Sequence, residues 1–356
     1  MPVRVESNHS SYDSEADAAR RLNGSRAQFA DGSGACISIG LINNMPDAAF
    51  HATERQFISL LDAASEGISI RLSLHVLPGA KAGGRRASEL YSSAETLQGR
   101  RLDGLIVTGR EPMTASLKDE PYWKSFTEVV EWARDHTYAT VWSCLAAHAA
   151  ILHLDGIGRR RSDDKRFGVF ECAPASGHRL VANAGPRFHI PHSRWNGVAE
   201  EDLAAGGYQV LTRTAEAEVD AFIKQKDSLF VFFQGHPEYE SDTLLREYRR
   251  DVGRYLRSQA STYPATPLGY FDTDTESALA ELRERALATH SKELLAGLAK
   301  ALEGRGTENR WRTTAVLLYR NWLEYICERK DASRSDGTIR SSSGAGAVGD
   351  KLLTLS

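Results

Sequence analysis

Cysteine is scarce in this chain. Only Cys36, Cys144, Cys172 and Cys327 occur among 356 residues, and no two of them form a CxxC pair. That spacing argues against a structural zinc site and a disulfide framework, and it makes reduced thiols in the cytoplasm the expected setting. Long apolar runs are missing as well. No stretch reaches the ~18 residues that a membrane span requires. The opening MPVRVESNHSSYDSEADAARR has no apolar segment of the secretory-signal kind. Strong charge of either sign is also absent. A net charge of −3 offers no global attraction to nucleic acid or to an anionic membrane. Small-molecule partners are therefore expected, with no nucleic acid and no membrane.

What is present is an ordinary globular balance of 41% apolar and 26% charged residues. The length permits two domains, or one large α/β domain with additions. Residues 1–34 are rich in Ser, Asp, Arg and Gly and read as a flexible arm. Residues 331–356 are Ser/Gly-rich and read as a disordered tail. The stretch between, 35–330, reads as a single catalytic α/β domain. ACISIGLI (35–42), IRLSLHVL (70–77), LDGLIVTG (102–109) and YATVW (138–142) have the texture of buried strands. TERQFISLLDAA (53–64) and PYWKSFTEVVEWARDH (121–136) have helical spacing. This βαβα rhythm predicts a mostly parallel sheet flanked by helices on both faces. Past residue 165 the texture changes. YQVLTRT (208–214), VDAFIKQ (219–225) and SLFVFF (228–233) read as antiparallel strands, with KQKD as a turn. Three helices follow, over 241–258, 276–304 and 310–330.

Cys144 stands where a predicted strand passes into a predicted helix, in YATVWSCLAAHAAILHL. Ligands collect at the carboxyl ends of strands in open α/β sheets. A tight strand–turn–helix junction lifts its side chain above the sheet, as in a nucleophile elbow. The positive end of a helix and a nearby imidazolium both favour thiolate. A lone cysteine is nevertheless more often a buried structural residue. A second stretch, SLFVFFQGHPEYE (228–240), places His236 just past another strand end and Glu238 two residues on. Such a set makes Cys144 the nucleophile, His236 its base and Glu238 the group that orients the imidazole. His148 lies one helical turn beyond Cys144 and reads as packing or support.

These segments resemble the homoserine O-acyltransferase (homoserine transsuccinylase) family, which has a class I glutamine amidotransferase-like, flavodoxin-like fold. The resemblance rests on NNMP (43–46), LDGLIVTG (102–109), SCLAAHAAILHLDGI (143–157), KRFGVFE (165–171), PHSRW (191–195), QGHPEYE (234–240), EYRRD (247–251) and NWLEYI (321–326), in family order. It implies that Cys144 forms an acyl-thioester, with His236 as base and Glu238 as third member. It implies that Lys165 and Ser193 bind substrate and that Arg250 holds the amino-acid carboxylate. An arginine fork suits that last role. Arg194 is a further, more structural candidate. No resident cofactor is implied; acyl-CoA (succinyl-CoA or acetyl-CoA) is the co-substrate and L-homoserine the acceptor. The resemblance also implies a setting in methionine biosynthesis and a homodimer. The N–H of Leu145 would hold the oxyanion, with a second donor from the turn at Gly109-Arg110.

Three departures from the family pattern stand out. Asp47 follows Met45-Pro46 where the family usually carries lysine nearby. Met113 occupies the position that discriminates acyl groups, and its bulk would fill space there. Residues 272–308 add a helical segment that would cover the site, build a dimer contact or change the acceptor. The basic clusters GGRR (83–86), GRR (99–101) and GRRR (158–161) are either contacts for CoA phosphates or solvated loops. Alternative readings keep the triad but change the acceptor to serine, or make the chain an amide or thioester hydrolase. A non-catalytic partner protein would have no need of Cys144, His236, Glu238 and Arg250 together.

Overall fold

The computed structural model describes residues 2–6, 35–79, 90–216, 218–304 and 308–343. Its strands are β1 (Val3–Val5), β2 (Cys36–Ile42), β3 (Ser69–Val76), β4 (Tyr91–Ser93), β5 (Gly104–Thr108), β6 (Ala139–Ser143), β7 (Arg160–Pro174), β8 (Phe188–Gly197), β9 (Gln209–Thr214), β10 (Val219–Gln225) and β11 (Leu229–Phe233). Its α-helices are α1 (Asp47–Ala64), α2 (Trp123–His136), α3 (Leu145–Asp155), α4 (Glu200–Ala205), α5 (Thr243–Leu256), α6 (Thr273–Thr289), α7 (Leu294–Leu302) and α8 (Arg312–Ser343).

All the strands join one sheet, in the order β1-β3-β2-β5-β6-β11-β10-β9-β7-β8, with β4 added beside β3. From β1 to β11 every pairing is parallel. From β11 to β8 every pairing is antiparallel. The parallel half is covered on both faces, which explains its continuous apolar runs. Successive residues alternate between two cores. Ile106, Val141, Val231 and Phe233 pack with α1 and α8 on one face. Leu105, Val107, Trp142, Phe230 and Phe232 pack with α2 and α3 on the other.

The segment 272–308 contains α6 and α7. Asp272 caps α6, its carboxylate accepting the Thr275 N–H at 2.7 Å. Leu279, Leu282, Leu294 and Leu298 share a third core with Leu244, Tyr248 and Val252 of α5 and with Phe167 and Val169 of β7. The added helices thus back α5.

The fold corrects the sequence reading in three places. Val3–Val5, inside the expected arm, pairs in parallel with β3, and Val3 is buried. Two β-branched residues flanking Arg4 suffice for an edge strand; residues 7–34 lie outside the described residues. Helix α8 continues past 330 to Ser343, because extending an anchored helix costs far less than nucleating one. The rest of the expected tail, 344–356, lies outside the described residues. Strands β7 and β8 had no expectation. The first seven residues of β7, Arg160–Arg166, are all polar, so no two-residue hydrophobic period announces them. The pairing of Phe167 with Ser193 and Val169 with Pro191 makes them strands. Among the described residues, no helix is long and apolar enough to cross a membrane.

Candidate active site

Three strand ends meet at one level. Thr108 of β5 and Phe233 of β11 both pair with Ser143 of β6. The residues just beyond, Gly109-Arg110, Cys144 and Gln234-Gly235-His236, therefore converge at the carboxyl edge of the sheet. Cys144 has φ 54° and ψ −115°, a conformation that a side chain rarely adopts. Such backbone strain costs about 1–3 kcal/mol and persists only where the surroundings enforce it. Here the Cys144 N–H donates to the Phe233 carbonyl at 2.7 Å, and its own carbonyl accepts the Ala147 N–H at 3.0 Å. The thiol is left partly exposed at the start of α3.

His236 is buried beside it. Its N–H donates to the Pro191 carbonyl at 2.8 Å. Its ring Nδ1 lies 2.8 Å from Glu238 Oε1, and the Ser143 hydroxyl donates to the same oxygen at 3.1 Å. The ring also hydrogen-bonds to Cys144; with Nδ1 engaged, Nε2 serves the sulfur. Tyr239 stacks on the imidazole, centroids 4.2 Å apart and planes 17° apart. Burial alone would lower the His236 pKa. The negative charges of Cys144 and Glu238, with their hydrogen bonds, outweigh it and hold the pKa well above 6.5. The shift favours the imidazolium of His236, and the Glu238 carboxylate orients the ring.

The predicted substrate residues gather around α5: Arg250 lies on it, Lys165 on β7 and Ser193 on β8. Ser193 Oγ donates to Glu247 Oε2 at 2.5 Å, and the Tyr239 hydroxyl donates to Glu247 Oε1 at 2.6 Å. One turn further, Asp251 accepts from Arg250 Nε at 2.8 Å and Nη2 at 3.1 Å. Lys165 Nζ stands 3.6 Å from Asp251 and 4.1 Å from the centre of the Phe167 ring. The Arg250 fork is thus engaged by its neighbour's carboxylate. The sequence reading missed Ser143, Tyr239, Glu247 and Asp251. The spacing of Glu247 and Asp251, four apart on one helix, was the available signal.

Other expectations land as follows. Leu145 opens α3, and its N–H lacks an intrahelical acceptor by position. Met113 is 55% exposed. Buried Glu120 pins this loop: its Oε1 accepts the N–H groups of Met113 (2.6 Å) and Thr114 (2.8 Å), and the Met113 sulfur accepts from Arg110 Nη2 at 3.4 Å. Asp47 begins α1, where a carboxylate favours the helix dipole. His148 is buried, 2.9 Å from Gln234 Oε1. Burial, with Arg194 and Arg159 nearby, lowers its pKa to about 4 against the Gln234 hydrogen bond, so it is a neutral support. Arg194 is buried and bonded to His192, Asn196 and Glu218, a structural role. Residues 83–86 lie outside the described residues. In 158–161, Arg160 pairs with Glu201 and Asp202, and Arg161 lies over the Trp195 ring.

Cys172, His192 and Asp220 bring possible metal-ligand atoms within 4.8 Å of one another. His192 Nδ1 accepts from Arg194 at 3.2 Å, which puts the ring proton on Nε2, 3.1 Å from Asp220. A protonated Nε2 cannot ligate, and burial pushes the Cys172 thiol far up. The cluster is a hydrogen-bonded support beneath Gly235.

A family model described as HTS: Homoserine O-succinyltransferase matches residues 2–333. A homoserine O-succinyltransferase of Rhodopseudomonas palustris is 47% identical over 290 residues, 81% of this chain and 87% of that protein. Another from Bradyrhizobium japonicum is 44% identical over 296 residues, 82% of this chain and 90% of that one. Among solved structures, a glutamine amidotransferase from Methylobacillus flagellatus is 15% identical with a TM-score of 0.46, covering 82% of this chain and 96% of that chain.

Proposed function

This chain belongs to the homoserine O-succinyltransferase family, and from that premise we propose that it transfers an acyl group from acyl-CoA to the hydroxyl of L-homoserine through an acyl-enzyme on Cys144. The observation that carries the reading is the buried His236, hydrogen-bonded to Cys144 and held at 2.8 Å by Glu238.

The Cys144 thiolate attacks the thioester carbonyl and a C–Sγ bond forms. The bond from that carbon to the CoA sulfur breaks, and CoA leaves with the proton of the His236 imidazolium. Acylation removes the charge on Cys144 that helped to hold the His236 pKa up. The now neutral imidazole is a better base for the next step. It takes the homoserine hydroxyl proton as the oxygen attacks, the C–Sγ bond breaks, and the thiolate–imidazolium pair returns. Glu238 keeps Nδ1 protonated throughout. The N–H groups of Leu145 and the Gly109-Arg110 turn supply donors for the oxyanion.

On α5, Arg250 takes the amino-acid carboxylate, and Glu247 and Asp251 offer countercharges for the ammonium. Lys165 and Ser193 complete the acceptor site. The relatives' names favour succinyl over acetyl as the group carried. Methionine biosynthesis, a cytoplasmic setting and a homodimer belong to the same reading; light scattering checks the last.

Intact mass after incubation with succinyl-CoA or acetyl-CoA tests the acyl-enzyme. The expected result is one acyl adduct, absent in Cys144→Ala and discharged by homoserine in preference to serine or water. No adduct with either donor would sink the reading.

A further inference from the structure

We propose that Arg110, supported by Arg159, is the specificity site for the acyl donor, binding a carboxylate at the far end of the acyl chain. The proposal rests on the acyl-enzyme reading and names the group that enzyme accepts.

Arg110 directly follows Gly109, which is packed against the elbow. A Cβ on Gly109 would stand 2.6 Å from the amide nitrogens of both Leu145 and Ala146. Yet the Arg110 side chain is poorly partnered. Its Nε and Nη1 are buried and find no hydrogen-bond acceptor, and its Nη2 reaches only the Met113 sulfur, at 3.4 Å. Arg159 is half-buried and forms no ion pair among the described residues. Both guanidiniums act on the buried Tyr122 hydroxyl. Burial and Glu120 raise that hydroxyl to about 12, against the two arginines and Asn44. Arg159 also acts on His148, one turn along α3 from Cys144.

Glu120 is the buried anion of this cluster; its Oε1 is spent on the Met113–Thr114 loop, and its Oε2 is buried without a hydrogen bond to either arginine. Glu111, next in the chain after Arg110, is exposed, so among the groups withdrawn from water two cations face one carboxylate. Unpartnered guanidinium nitrogens withdrawn from water are costly, and a bidentate carboxylate is the ligand that fits their fork. The Arg110 side of the elbow is the β5 side. His236 follows β11, and β6 lies between that strand and β5. An acyl group on Cys144 thus has its carbonyl at the elbow, CoA or homoserine toward His236, and its tail toward Arg110. Two arginine sites match the two carboxylates of the reaction: Arg250 for the acceptor and Arg110 for a succinyl donor. The Met113 sulfur is the one partner of Arg110 Nη2 among the described residues.

The test compares succinyl-CoA with butyryl-CoA, which has the same chain length and the same CoA but no distal carboxylate. The ratio of their kcat/KM values is measured in the wild type, Arg110→Met and Arg159→Met. Expected is a wild-type ratio of ~10² or more, falling about 100-fold in Arg110→Met and less in Arg159→Met. Each variant supplies its own butyryl-CoA reference, so a loss of folded protein cancels. An unchanged ratio in Arg110→Met overturns the assignment, even if both rates fall, since that marks a contact with CoA phosphates. A wild type without preference overturns it as well. No Cys144 adduct from either donor removes the acyl-enzyme reading and this site with it; adducts with an unaltered ratio remove this site alone.

Discussion

Gly109 and Leu145 approach more closely than any residue with a side chain allows. A Cβ on Gly109 would lie 2.6 Å from the Leu145 amide nitrogen and 2.7 Å from its Cβ. The atoms in the way are two backbone nitrogens and a Cβ fixed to the backbone, so they cannot swing aside. Gly109→Ala would push the β5 turn off the start of α3 and spoil the oxyanion donors. Loss of one such donor costs roughly 10²–10³-fold in kcat. Single-turnover acylation of Cys144 checks this, and a rate within threefold of wild type would refute it.

His236 carries a raised pKa largely on account of the Cys144 charge. Removing that charge in Cys144→Ala must lower the pKa, leaving burial to oppose Glu238 alone. Titration of the imidazole by NMR reads the direction. The sign for stability follows. The native pKa lies above 6.5, so the ion pair stabilises fully below 6.5, and this contribution is lost as pH rises through the native value. Relative to Cys144→Ala, the wild-type melting temperature should therefore decline over that upper range. A His236 pKa that does not move in Cys144→Ala would contradict the coupling.

Glu238 is held in place on both sides, by the Ser143 hydroxyl at 3.1 Å and by His236 at 2.8 Å on one oxygen. Glu238→Gln offers Nδ1 a donor or a weaker acceptor and disturbs the tautomer. The expected loss is ~10²–10⁴-fold in kcat. Ser143→Ala removes only a support, and a loss below about 10-fold is expected, in keeping with one hydrogen bond. If Glu238→Gln retains a fifth of the activity, the orienting role fails.

In the proposed reaction Arg250 gives up a fork already on Asp251 to take the acceptor carboxylate. Arg250→Ala should raise the KM for homoserine by roughly 10–100-fold, the worth of a charge-assisted pair. The acylation half-reaction should be little affected, since no acceptor takes part in it. Steady-state and single-turnover kinetics separate the two. An unchanged homoserine KM would dismiss the carboxylate assignment.

His148 predicts an acid-side dependence of opposite sign. Its native pKa of about 4 lies below the unfolded 6.5. Between those values the unfolded chain binds a proton that the native chain refuses. Stability is complete above 6.5 and falls as pH drops toward 4, by about 3 kcal/mol. His75, lowered to about 4 by burial and Arg100, adds to the same slope. Denaturant titrations from pH 4 to 7 should show a flatter slope in His148→Gln; an identical slope would exclude it as the source.

The sequence by itself determined the local pieces of this protein. Apolar runs ending in Gly109, Cys144 and Gly235-His236 announced buried strands with chemistry at their carboxyl ends, because a buried strand needs no polar residues until it leaves the sheet. Helical spacing announced α1, α2 and α5 in the same way. Strands β1 and β7 were silent, one too short and one too polar for a period to show. Only the tertiary structure decided which ends stand side by side. Ser143 pairs with Thr108 and with Phe233, partners far apart in the chain whose register is set by packing on both faces of the sheet. That register places Glu238 on His236, Tyr239 and Glu247 behind them, and Arg110 on the far side of the elbow. A side chain's neighbours across a sheet leave no periodic mark in its own segment, so the thiol was legible from sequence and its surroundings were not.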